Sequence, residues 1–163
     1  MTENGITIAR ADLTSETSLA LIRALNAELS EMYSEPGANH FHLDPEQVTG
    51  DRGAFFVVQR GGTPVGCGAF RLLDAETAEL KRMYVAPAAR GTGLGRRLVD
   101  TLEAEACKLG VKRLVLETGV RQHPALALYR ATGFEPIPLF GEYCLSPDTS
   151  VCLGKDISAR GAK

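Results

Sequence analysis

The chain has 163 residues, enough for one domain with a sizeable core. Apolar residues make up 44% and charged residues 23%, and the net charge of −2 gives no global attraction to nucleic acid or to an anionic membrane. No apolar run is long enough to span a bilayer, and the N-terminus, MTENGITIAR, lacks the cationic-then-apolar order of a secretory signal.

Gly5–Ala11 (GITIARA) alternates apolar and polar residues and reads as a first strand. Asp12-Leu-Thr-Ser-Glu supplies capping residues. Glu16–Tyr33 then carries Leu19, Ile22, Leu25, Leu29 and Met32 at helical spacing, and Ser34-Glu-Pro-Gly ends that helix. Asn39–Gly53 is polar and reads as a loop with a short helix around Pro45–Val48, placed to touch a substrate. Ala54–Arg60 (AFFVVQR) is a buried strand and Gly61-Gly62 a hairpin turn. Thr63–Leu73 is the partner strand, with Gly66 and Gly68 leaving little side chain on one face. After the turn Asp74-Ala-Glu, Ala78–Val85 (AELKRMYV) completes an antiparallel meander.

Leu94–Leu109 has Leu94, Leu98, Leu102, Ala106 and Leu109 on one face of a long helix, stopped by Gly110. Arg113–Thr118 is a strand, and the strand–helix–strand order favours its parallel, right-handed pairing with Ala78–Val85. Pro124–Thr132 is a shorter helix capped by Gly133, and Phe134–Phe140 and Ser150–Lys155 finish as strands. With no repeats or linkers, residues 1–163 read as a single α+β (mixed α/β) domain with its core at about 5–157. The cysteines, Cys67, Cys107, Cys144 and Cys152, are far apart with no CxxC pair, and read mostly as buried free thiols rather than a zinc site. A cytoplasmic protein in a reducing compartment is expected.

The stretch VAPAARGTGLGRRLV (Val85–Val99) carries glycines at alternate positions, flanked by Arg90, Arg96 and Arg97, where a helix begins. A helix start offers unpaired N–H groups and the positive end of the dipole, and glycines let a ligand approach them. That is an anion site suited to phosphate. A glycine-rich turn without a ligand is the alternative, but each glycine inside a helix costs about 1 kcal/mol relative to alanine. The Rossmann spacing G-x-G-x-x-G fails, since Arg97 stands where the third glycine belongs, and Glu117 is a poor match to the ribose-binding acid. The Gly-Lys-Ser/Thr of a Walker A loop is absent. R-x-x-G-x-G, from Arg90 to Gly95, does fit.

In these segments the sequence resembles the GNAT superfamily of acetyl-CoA-dependent N-acetyltransferases, most strongly from Ala78 to Phe140. AELKRMYV, APAA, RGTGLG and the helix after them follow that family's central motif in order, and ALALYRATGF resembles its second motif. LFGEY and SVCLGKDI resemble the ends of a bacterial subgroup of small members. The resemblance implies a mixed central sheet of about seven strands with a splayed parallel central pair, flanked by about four helices. It implies that backbone N–H groups of Gly91, Thr92, Gly93, Leu94, Gly95 and Arg96 hold the CoA pyrophosphate, with Arg90 shaping the loop or meeting a phosphate. The strand end Met83-Tyr84-Val85 would pair with the pantetheine arm through Met83 and Val85. Where many members carry an Asn near the end of the second parallel strand, this chain has Thr118.

Acetyl transfer from a thioester needs a deprotonated amine, donors for the developing oxyanion and an acid for the departing thiolate, whose thiol has a pKa of about 8.5 by analogy with cysteine. The resemblance gives Tyr129 as the acid, against a ring that merely packs in the core. It gives Glu79 as the base through water, against an ion pair with Lys81 two residues on. The expected oxyanion donor is the N–H of Met83 or its neighbour.

Acetyl-CoA is thus the expected co-substrate, direct transfer needs no metal, and the partner is the amine of a small molecule or amino-acid-like acceptor, with neither nucleic acid nor membrane implied. The acceptor would enter past Tyr33–Val48, with Arg71, Arg82 and Arg121 as candidates for a carboxylate on it and Tyr143 as a lining residue. His40 and His42 are candidate ligands or bases, against ordinary loop residues, and Cys144 has no neighbouring His to make it a nucleophile. A peptide acceptor and a catalytically silent CoA-binding module are the competing readings. A homodimer is one arrangement open to such a domain, with the C-terminal strands as candidates for edge pairing.

Overall fold

The computed structural model describes residues 5–32 and 43–161. The helix stop expected at residues 34–37, and His40 and His42, lie outside them.

The chain begins with β1 (Ile6–Arg10) and α1 (Glu16–Met32). The Ser15 hydroxyl accepts the Ser18 N–H at 3.2 Å, capping α1 as the sequence predicts. β2 (Gly53–Arg60), β3 (Thr63–Leu72) and β4 (Thr77–Val85) form the expected meander, with β1 antiparallel to β2. α2 (Leu94–Lys108) crosses to β5 (Arg113–Gly119), which pairs parallel to β4. After α3 (His123–Ala131) and β6 (Glu135–Ile137), β7 (Ser150–Asp156) inserts between β5 and β6, antiparallel to both. The sheet order is β1-β2-β3-β4-β5-β7-β6, seven strands with one parallel pair at the centre. A short α4 (Ser158–Gly161) closes the chain against α2, where Arg160 pairs with Asp100 at 2.9 Å.

The apolar run of β2 shows why the sheet is central. Alternate side chains point to opposite faces. Phe55 and Val57 pack with Leu21 and Leu25 of α1, whereas Phe56 and Val58 join Leu98 and Leu102 of α2. Full burial of each such side chain contributes about 1.5–3 kcal/mol relative to exposure. The helices therefore sandwich the sheet, and the site forms where the sheet opens between them. Among the described residues no helix is long and apolar enough to cross a membrane.

One expected strand is much shorter than the sequence predicts. Of residues 134–140 only Glu135–Ile137 form β6. Pro138 has no N–H to continue the ladder, and the chain turns instead into a 3₁₀ segment, Gly141–Leu145, that carries Tyr143 inward. Of the cysteines, all four are free, Cys67 and Cys152 are buried and Cys107 is half-buried, but Cys144 is exposed on that same 3₁₀ turn.

Candidate active site

The site begins where two strands part. β4 and β5 pair from Thr77–Arg113 to Leu80–Leu116 and no further. Beyond that point β4 stays with β3 and β5 stays with β7. A bulge strengthens the divergence: Cys67 faces Tyr84 and Ala69 faces Lys81, leaving Arg82 and Met83 opposite Gly68. Arg82 has φ 58, the one non-glycine residue with positive φ among those described. Gly68 makes room here: a Cβ would stand 2.6 Å from Met83 Sδ and 3.1 Å from leucines of α2, so those side chains would have to shift.

The glycines of the loop serve two purposes. Gly91 (φ 75) and Gly93 (φ 83) adopt left-handed backbone, and Gly93 begins α2 without a side-chain cap. Gly95 lies inside the first turn, where a Cβ would come within 3.0 Å of Leu128 in α3. The loop and the strand end Met83–Val85 line one cleft of about 410 Å³, together with Arg90, Gly91, Gly93, Leu94, Gly95 and Arg96. Thr92 turns away, its hydroxyl donating to the Ala89 carbonyl at 2.6 Å. Arg90 donates to the Val85 carbonyl at 2.8 Å and grips both oxygens of Glu28 in α1 at 2.6 and 2.8 Å. These contacts tie the loop to the end of β4 and to α1.

A second cavity of about 110 Å³ adjoins this cleft in the gap between β4 and β5, lined by Lys81, Arg82, Glu117, Thr118 and Tyr143 among others. Tyr129 lines both spaces and stands at their junction with Met83 and Gln122. Its ring packs edge-on against Phe134, centroids 5.6 Å apart. Burial, helped by the charge of Glu117, holds its phenol well above the usual range, so it is protonated at neutral pH.

Glu79 is fully buried and lines neither space. Its ion pair is with Arg71, its register partner in β3 (Nε 3.0 Å, Nη2 2.9 Å), rather than with Lys81. The Tyr143 hydroxyl donates to its other oxygen. Lys81, also buried, instead donates to Tyr143 Oη at 3.2 Å and pairs with Glu142 at 3.4 Å. Burial pulls the Lys81 ammonium below its usual range, against the charge of Glu79.

Of the three candidate arginines, Arg82 lines the small cavity. Arg71 is held by Glu79, and Arg121 donates to the Met32 carbonyl at 2.9 Å, tying the end of α1 to the loop after β5. The group that sequence reasoning gave no role in transfer is Glu117. Burial pushes its carboxyl up to about 7, with the Ser150 hydroxyl pulling the other way and the charge of Glu79 adding to the rise. The available signal is a carboxylate that directly follows the apolar run Leu114–Leu116 in the strand RLVLETG, where burying a charge is costly.

The family model described as Acetyltransferase (GNAT) family matches residues 19–134. This chain belongs to that family. It is an acyltransferase. It is 39% identical over 143 residues to the IAA acetyltransferase of Azospirillum brasilense, covering 87% of this chain and 92% of that one. A Klebsiella pneumoniae structure assigned as an acyl-CoA N-acyltransferase superposes with a TM-score of 0.81 at 33% identity, covering 94% of this chain and 99% of that one. A GNAT acetyltransferase from Elizabethkingia anophelis, solved with acetyl-CoA bound, shares the fold at 19% identity, with a TM-score of 0.68 over 94% of this chain and 99% of that one.

Proposed function

We propose that this acyltransferase moves an acetyl group from acetyl-CoA directly to the amine of a small molecule, with Tyr129 as general acid and Glu117 as general base. The observation that carries the reading is the position of Tyr129, common to a long cleft and a small charged cavity. The long cleft fits the co-substrate: it begins at an uncapped helix start with left-handed glycines, where backbone N–H groups suit a pyrophosphate, and ends at Tyr129. Acetyl-CoA, when bound, supplies the thioester. The bulge at Arg82 and Met83 leaves backbone out of the β3–β4 ladder, and the Met83 N–H is the donor for charge developing on the acyl oxygen.

The base moves from Glu79 to Glu117. Glu79 is committed to Arg71 and Tyr143, away from both spaces, whereas Glu117 lines the cavity that would take the acceptor. A carboxyl held at about 7 is suited to taking a proton from an ammonium near neutral pH, directly or through water. Tyr129, protonated and at the junction, then delivers a proton to the leaving sulfur.

The test is release of free CoA thiol from acetyl-CoA across amines, amino acids and peptides. Tyr129→Phe should lose about 10²-fold or more in kcat while binding acetyl-CoA with little change. Undiminished kcat in this variant would remove the acid role. Acetyl-CoA binding without turnover on any acceptor would favour the silent module.

A further inference from the structure

We infer that Ser150 is a positioning residue for Glu117: its hydroxyl donates to the carboxylate in its ionised form and holds it at the small cavity. The inference rests on the reading of Glu117 as the base and adds the group that sets when that base is available.

Ser150 is only 5% exposed, and its Oγ is the one buried side-chain oxygen or nitrogen among the described residues with no hydrogen bond. Buried polar groups are nearly always paired, so an orphaned hydroxyl beside a reacting site calls for a reason. The strand register supplies one. β7 runs antiparallel to β5, with Glu117 opposite Cys152 and Gly119 opposite Ser150. Opposed residues share a face, and so do residues two apart in a strand. Glu117 and Ser150 are therefore diagonal neighbours on one face, a separation of about 7–8 Å between Cα atoms that a long side chain can bridge. Val151 and Leu153, on the other face, belong to the apolar core. Gly119 offers Ser150 no side chain, and β6 on the far side of β7 ends at Ile137, opposite Cys152. Thr149, next to Ser150, lines the cavity with Glu117.

The surroundings of Glu117 leave this hydroxyl a task. The groups that face the carboxyl are Glu79 and Lys81 of β4, Glu142 and Tyr143 of the 3₁₀ turn, Tyr129 of α3 and Cys152 of β7, with Arg82 on the same cavity. Glu79 and Glu142 oppose its ionisation, and Lys81 favours it while donating to Tyr143 and pairing with Glu142. Against burial, the pull of the Ser150 hydroxyl outweighs each of these charges. A serine O–H is a rotor that can turn to meet an acceptor. A carboxylate accepts far more strongly than a protonated carboxyl, so the bond belongs to the ionised state. That is the state that takes a proton from the acceptor ammonium.

Carbon NMR of protein labelled at its glutamate carboxyls reads the titration of Glu117 directly, with Glu117→Gln to assign the signal. Ser150→Ala should raise that titration by about one pH unit, the loss of one hydrogen bond to a charged group. Ser150→Thr, which keeps the hydroxyl, should restore it. In thiol release with an amine that the wild type turns over, kcat/KM of Ser150→Ala should fall about tenfold at pH 6 and return toward wild type at pH 9. The alanine variant should melt level with wild type at pH 4, where the carboxyl is protonated in both, and below it at pH 8, where ionisation has lost its donor. An unmoved Glu117 titration in Ser150→Ala overturns the inference. So does a loss of activity and of melting temperature that is equal at every pH, the mark of a merely structural hydroxyl. A raised titration with an unmoved kcat/KM limb supports the bond between Ser150 and Glu117 and removes Glu117 as the base.

Discussion

The two ends of the cleft are built by different means. The proposed acetyl-CoA end draws mainly on one stretch of chain, residues 83–96, and on its backbone: a strand end, two left-handed glycines and an uncapped helix start. The proposed acceptor end is built from side chains of separate elements: Lys81 and Arg82 of β4, Glu117 of β5 and Tyr143 of a 3₁₀ turn line it, with the Arg71–Glu79 pair of β3 and β4 behind them. A backbone site can stay constant while its surroundings vary, and a side-chain site can be retuned one residue at a time. Changes at the first end should therefore appear in acetyl-CoA affinity, and changes at the second in turnover, pH profile and acceptor choice.

The largest effect after Tyr129 belongs to Glu117. In wild type, kcat/KM should rise with pH along a limb of apparent pKa about 7, as the base loses its proton. Glu117→Gln should lower kcat/KM by about 10²-fold at pH 8 and abolish the limb. A stability signature of opposite sign accompanies the loss. The folded protein holds this proton to higher pH than the unfolded chain, whose carboxyl titrates near 4.5, so ionisation costs stability as pH rises from about 4.5 to about 7. Glu117→Gln should therefore melt above wild type at pH 8 and level with it at pH 4. A limb that survives in Glu117→Gln would return the base to another group.

Glu79→Gln sharpens the same contrast from the other side. It strips the charge from a carboxylate with no solvent exposure that meets Arg71 and Tyr143. Breaking a buried pair by removing one partner costs about 3 kcal/mol. Thermal denaturation should show that loss while the pH limb of the surviving activity stays in place. A vanished limb with unchanged melting would mean that Glu79, not Glu117, takes the proton.

How much of this was legible follows from the same division. The meander, the parallel pair and the glycine loop were readable because their signals are local: alternation in AFFVVQR, Gly-Gly at the hairpin, glycines before a helical repeat. β6 is shorter than its apolar run suggests because Pro136 and Pro138 sit in that run, and periodicity is blind to a missing donor. Strand spacing offers Lys81 as the ion-pair alternative for Glu79, yet the partner, Arg71, lies across the sheet at a register that the sequence does not state. Glu117 and Lys81 meet in one cavity only because β4 and β5 splay, which is a property of the sheet and not of either strand.

At the cofactor end the effects should be smaller. Gly93→Ala forces a Cβ into backbone at φ 83, a strain of about 1–2 kcal/mol, and acetyl-CoA affinity should fall about tenfold with kcat at saturation little changed. Loss of kcat at saturating acetyl-CoA would show that the loop also positions the reacting atoms.

The smallest effect carries a sign that decides a role. Glu28 and Arg90 are both partly exposed, 32% and 44%, so their ion pair contributes up to about 1 kcal/mol and weakens with salt. If Arg90 acts as a brace, Glu28→Gln loosens the loop, and acetyl-CoA binds about two- to threefold more weakly, with the difference fading at high ionic strength. If Arg90 instead meets a phosphate, removing its competing carboxylate frees the guanidinium, and the same variant binds acetyl-CoA more tightly. Isothermal titration at two salt concentrations separates these. Tighter binding would place a side chain among the determinants at the cofactor end and break the contrast between a backbone-built site and a charge-built one.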